Sequence, residues 1–121
     1  MGRSVVRLLV IGGLICALVA AWVMRSILVV VRNVGDAPLL RATVYVTGNP
    51  YALGTLARGA RRRVFVRARG ESHIEIEREA SSGQRRRLFV GTYFEAGYVG
   101  RIAIDITDDA IVSVDEDLHP L

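Results

Sequence analysis

RRRVFVRARGESHIEIEREASSGQRRRLFV, residues 61–90, writes the same grammar three times. In each run, apolar and charged side chains take turns. Side chains on an extended strand alternate between its two faces, so this pattern predicts half-buried strands. Val64, Val66 and Ala68 share one face of the first run, opposite Arg63, Phe65, Arg67 and Arg69. Ile74 and Ile76 share a face in the second run, opposite His73, Glu75, Glu77 and Glu79. Leu88 and Val90 share a face in the third, opposite Arg85, Arg87 and Phe89. Two hairpins follow as the expectation. One sets Arg67 opposite Glu75 and Arg63 opposite Glu79; the other sets Glu79 opposite Arg85 and Glu77 opposite Arg87. The three strands would then carry a basic–acidic–basic stripe that selects register on a solvated face.

The alternation extends outward in both directions. Residues 27–33, 39–48, 51–56, 61–68, 72–79, 85–94, 99–107 and 110–115 read as strands, separated by Gly, Pro, Asn, Asp and Ser clusters. Nothing after residue 25 has a helical period. The expected fold class is all-β, an antiparallel Ig-like β-sandwich of about seven to eight strands; a small closed barrel is the alternative.

Upstream, LLVIGGLICALVAAWVM at 8–24 is uncharged and mostly apolar. With Val5, Val6 and a snorkelling Arg7 it reaches about 30 Å as a helix, the thickness of a bilayer core. It predicts an N-terminal transmembrane helix with Trp22 and Arg25 at the membrane interface. Val19-Ala20-Ala21 offers a signal-peptide cleavage site, but the apolar run continues to Met24, which favours an uncleaved signal-anchor. Two rows of small residues, Gly12, Cys16 and Ala20, and Gly13, Ala17 and Ala21, form candidate helix-packing grooves. The chain thus divides into an anchor over 1–25, a sandwich over 26–117 and a tail over 118–121. A short leading tail before the anchor predicts a cytoplasmic N-terminus and a periplasmic or otherwise extracytoplasmic C-terminal domain, single-pass in the inner membrane.

Composition narrows the function classes. The 121 residues carry 16 basic residues, all arginine, against 12 acids. Beyond residue 25 the balance is 13 Arg to 12 acids, too even a field for nucleic-acid binding. The lone Cys16 permits neither an intrachain disulfide nor a cysteine zinc site. His73 and His119 are the two histidines, and no serine sits in a nucleophile elbow. Asp105, Asp108 and Asp109, or Asp115, Glu116 and Asp117, lack the spacing of a calcium loop. We expect no enzyme, no catalytic or metal site, no cofactor and no small-molecule ligand.

Two candidate surfaces remain. Arg58, Arg61, Arg62 and Arg63 lie at a turn, where lipid head groups or an acidic glycan would meet them. Tyr93, Phe94 and Tyr98 offer aromatic anchors for a protein interface, with core packing the alternative for Phe94.

RNVGDAPLLRATVYVTG at 32–48 and LGTLARGARRRVFV at 53–66 together resemble bacterial and archaeal Ig-like modules of the CARDB and FxLYD type. Asn33, Gly35, Leu56 and Gly59 occupy the turn positions of that pattern, and the likeness covers residues 27–68. It implies an adhesive or assembly module and brings no catalytic residues. The expected partners are the membrane and another membrane or envelope protein.

Overall fold

The computed structural model describes residues 3–24, 26–80 and 82–120, and the side chains of residues 4–19, 26–80 and 82–120. Among the described residues, one helix precedes eight strands. The helix α1 is Arg3–Met24. The strands are β1 Ile27–Asn33, β2 Leu39–Val46, β3 Asn49–Leu56, β4 Arg61–Val66, β5 Ser72–Glu79, β6 Arg85–Phe94, β7 Tyr98–Ile106 and β8 Ile111–Pro120. They form two four-stranded sheets. Sheet A has the order β4-β1-β7-β8 and sheet B the order β3-β2-β5-β6.

The expected alternation builds the core between the sheets. Ile27, Val29 and Val31 of β1, Val44 and Val46 of β2, Ile74 and Ile76 of β5, and Ile102, Ile104 and Ile106 of β7 are all buried there. All ten are β-branched, which suits a pleated surface packed on one side. Fully burying each such side chain contributes about 1.5–3 kcal/mol, so this interior is the main source of cohesion.

Four expectations are corrected. First, the sandwich is not wholly antiparallel: β1 and β7 run parallel, with Ile27 opposite Gly100 and Val31 opposite Ile104. A parallel pair needs a long crossover, and here the five intervening strands, β2 to β6, and their turns supply it. The order also places β1 and β2 in different sheets, whereas the constant-type Ig arrangement keeps its first two strands together.

Second, β4 does not form a hairpin with β5. It pairs with β1, Val66 opposite Ile27 and Arg61 opposite Arg32. Both edges of β5 are already filled, by β2 and by β6. The β5–β6 hairpin does form as read, with Glu79 opposite Arg85 and Glu77 opposite Arg87. The acidic column is flanked on its other side by Arg41 of β2, 3.6 Å from Glu79.

Third, Leu118–Pro120 are not a tail. They extend β8, with Leu118 opposite Gly100 and Pro120 opposite Tyr98. Gly100 itself takes φ +133, and a Cβ there would collide with the carbonyl oxygen of Asp117. Only glycine lets the two backbones approach this closely.

Fourth, β2 does not alternate without a break. A bulge at Arg41, with φ 49, turns Leu39 inward in place of Leu40.

At one end of the sandwich Asn33 is fully buried and fully bonded. Its Nδ2 donates to the carbonyls of Ala37 at 2.8 Å and Leu56 at 3.1 Å. Its Oδ1 accepts from the Gly35 amide at 3.0 Å. Its own carbonyl accepts from the Gly59 amide at 2.8 Å. One side chain thus joins the β1–β2 turn to the β3–β4 turn.

The described side chains of α1, residues 4–19, are exposed on every side. Among the described residues no helix is long and apolar enough to cross a membrane.

Candidate functional surfaces

The outer face of sheet A is a grid set by strand register. Across β4, β1, β7 and β8 one row reads Arg61, Arg32, Asp105, Ser113. The next reads Arg63, Val30, Ala103, Asp115. The third reads Phe65, Leu28, Arg101, Asp117. Arg32 and Asp105 form a two-bond pair at 3.1 and 3.0 Å, and Ser113 donates to the same carboxylate at 3.2 Å. Val30, at 7 % exposure, floors two adjoining hollows. One, of about 350 Å³, is lined by Arg61, Arg101, Ala103, Asp105 and Asp115 among others. The other, of about 250 Å³, is lined by Leu28, Val30, Arg61, Arg63 and Arg101.

The four arginines proposed from the sequence separate. Arg61 and Arg63 stand on this outer face, together with Arg101 of β7. Arg62 has the opposite parity on β4. Arg58 lies in the turn before β4, 3.7 Å from Asp36. Arg101 was not a candidate, because nothing local marks it. It joins the other two only through β1, which separates β4 from β7.

The outer face of sheet B is chemically different. Glu75 and Glu77 of β5 hold Arg87 of β6, with Nη2 2.9 Å from Glu77 and Nη1 3.4 Å from Glu75. The Arg87 guanidinium also lies over the Tyr45 ring at 4.0 Å. The Glu77 hydrogen bond holds its pKa above the ordinary arginine value. Arg85 reaches Glu77 at 3.4 Å. This face is therefore compensated.

Beside it lies an aromatic patch. Phe89 is 64 % exposed and Tyr93 55 %. The His73 and Phe89 rings are 5.4 Å apart. The Tyr93 hydroxyl donates to Glu95 at 2.6 Å, which pushes its pKa up to about 12. Tyr93 is thus exposed on this face. Phe94 is not: it is fully buried in the core, because the parity of β6 places it with Val90 and Thr92. Tyr98 packs partly against the core. Phe89 was missed as an interface candidate, although its outward parity was legible.

Arg78 is the anomaly of the interior. It is 1 % exposed, and its Nη1 donates to the Arg86 carbonyl at 3.3 Å. Its Nε and Nη2 have no partner among the described residues. Burial, then the Arg86 charge, lowers its pKa.

On α1, Gly12, Gly13, Cys16 and Ala17 are exposed, with no atom near the Cβ positions of the two glycines. The side chains of Ala20, Ala21 and Trp22, and Arg25 entirely, lie outside the described residues. Among the described residues no group of three or more His, Cys, Asp and Glu is placed to hold a metal.

No family model matches the chain, and no curated protein matches it. A solved structure does: an NMR structure of a protein from Eubacterium rectale, at 16 % identity and a TM-score of 0.51. The match covers 75 % of this chain and 87 % of that one. At that identity the likeness is one of fold alone.

Proposed function

We propose that the chain is a membrane-anchored interaction module. In this reading α1 enters the bilayer, the sandwich lies on the extracytoplasmic side, and an envelope protein docks on sheet B. The observation that carries it is the surface of α1. Val6, Leu8, Leu9, Val10, Leu14 and Leu18 are each more than half exposed, so the helix is apolar all round without a covering layer. Such a helix leaves water only by entering lipid or packing on other helices. The exposed Gly12, Gly13, Cys16 and Ala17 suit the second step, since small residues let helix backbones approach.

Phe89, Tyr93 and His73 supply the docking surface of the sandwich. Aromatic anchors at an otherwise charge-compensated face are the usual centre of a protein interface. The resemblance carried by Asn33, Gly35, Leu56 and Gly59 implies the same kind of assembly role, with no catalytic chemistry.

Two measurements test this. Alkaline carbonate extraction of cell membranes should leave the full chain in the pellet; release into the supernatant would refute the anchor. A photo-crosslinking residue at Phe89 should give a discrete adduct with another membrane protein. Tyr93→Ser should weaken that adduct, while the same probe at Val112, exposed on β8 of sheet A, should give none. Equal labelling from both positions would refute docking on sheet B.

A further inference from the structure

The arginines of the sandwich are not distributed evenly between paired and unpaired states. Arg32, Arg41, Arg58, Arg85, Arg86 and Arg87 each have a carboxylate within 4.0 Å. Arg61, Arg62, Arg63, Arg67, Arg69 and Arg101 are exposed and have none among the described residues. All six lie on β4, on the segment that follows it, or at the facing position of β7. The near-neutral sandwich therefore concentrates its uncompensated positive charge on one flank.

That flank is also the one nearest the helix. Val66, the end of β4, is opposite Ile27, the start of β1, and so is Gly100 of β7. Two residues separate Met24 from Ile27. Three Cα steps span at most about 11 Å. Whatever surface α1 enters, the start of β1, Arg67, Arg69 and Arg101 are tethered beside it. Arg63 follows one row further along.

We infer that this flank rests on anionic lipid head groups of the membrane that α1 enters, with Arg63, Arg67, Arg69 and Arg101 contacting their phosphates. The inference rests on the membrane-anchored reading above. Guanidinium groups present paired donors that match phosphate oxygens, and a polybasic segment beside a membrane helix gains from the negative surface potential. Glu71, Glu95 and Asp117 belong to the same end. Asp117 lies directly across from Arg101 on β8, and Asp115 lines the same hollow as Arg61 and Arg101, so the acids of this face stand on its β8 side, away from β4. This arrangement tilts the sandwich, β4 side down, and leaves the aromatic patch of sheet B free for a protein partner.

The test uses the full chain in lipid nanodiscs. Discs of phosphatidylcholine alone are compared with discs that also contain phosphatidylglycerol, by hydrogen–deuterium exchange. Backbone amides of 63–70 and 99–103 should exchange more slowly in the anionic discs, and added salt should remove the difference. Each of Arg63→Ser, Arg67→Ser, Arg69→Ser and Arg101→Ser should reduce the protection about fivefold, the share of one arginine near an anionic surface. Arg85→Ser, on sheet B, should not. Equal exchange in both kinds of disc, with the chain incorporated, overturns the lipid contact and leaves the anchor standing. Failure to incorporate into either disc overturns both. Protection in neutral discs on adding inorganic phosphate would assign the flank to a soluble anion and overturn the lipid assignment.

Discussion

Replacing Asn33 is the sharpest probe of how this sandwich is closed. Its side chain makes three hydrogen bonds, to Ala37, Leu56 and Gly35, in a fully buried position. Asn33→Ala removes all three and leaves two carbonyls and one amide without that partner. At about 1 kcal/mol net for each bond, the loss is about 3 kcal/mol. For a domain of this size that corresponds to a fall in Tm of roughly 12–24 °C.

Asn33→Asp sharpens the argument, because it keeps the shape and changes the chemistry. The Gly35 amide keeps its acceptor, but a carboxylate oxygen now faces two carbonyls. Only the protonated acid can donate to one of them. The folded-state pKa of that carboxyl should therefore lie above the ordinary value of about 3.9. Between the unfolded and folded pKa values the folded state binds more protons. Stability is then greatest below the unfolded value and falls as pH rises through the folded one. Denaturant unfolding of the full chain in detergent, followed by near-ultraviolet dichroism across pH, reads both effects. A loss below about 0.5 kcal/mol in Asn33→Ala, the range of a surface change, would refute the reasoning. So would an Asn33→Asp variant whose stability, relative to the parent, did not fall between acid and neutral pH.

Other outcomes follow from the same structure. Phe94→Ala should cost about 3–5 kcal/mol in denaturant unfolding, whereas Phe89→Ser should stay within about 0.5 kcal/mol. Arg78→Met should raise stability by about 1–3 kcal/mol, since it removes two unpaired buried donors; a loss instead would show that Asp108 or Asp109 pairs with Arg78 in solution. Gly100→Ala should destabilise by at least about 1 kcal/mol, because of both its positive φ and the Asp117 carbonyl; wild-type unfolding behaviour would refute this close approach of β7 and β8. The Tyr93 phenol should ionise near pH 12 by ultraviolet titration, and Glu95→Gln should bring it back toward the ordinary value of 10. Because the folded value is the higher one, the stability this hydrogen bond supplies is present below pH 10 and is lost as pH rises toward 12.

Local alternation was enough to mark the strands. Residues 27–33, 72–79 and 85–94 are bounded as the turn residues indicate, because Gly, Asn, Asp and Ser clusters interrupt the pattern there. The face of many side chains was legible for the same reason, so Arg63 and Phe89 point outward as read. The bulge at Arg41 escaped, since its positive φ on a non-glycine residue leaves no compositional mark. The assignment of Phe94 to the core was within reach of parity, and was outweighed by its aromatic neighbours.

The sequence by itself determined eight extended segments, their inward residues outside the bulged start of β2, and the Glu77–Arg87 and Glu79–Arg85 register of one hairpin. A two-residue period is a property of each strand alone and is the same whichever neighbour it has. The choice of neighbours belonged to the tertiary structure. Arg63 could not lie opposite Glu79, because β2 and β6 already occupied both edges of β5. The arginine-bearing strand went instead to β1, and the parallel pairing of β1 with β7 brought in Arg101 from far along the chain. The positive flank exists because of which edges were vacant when two sheets closed over one apolar interior.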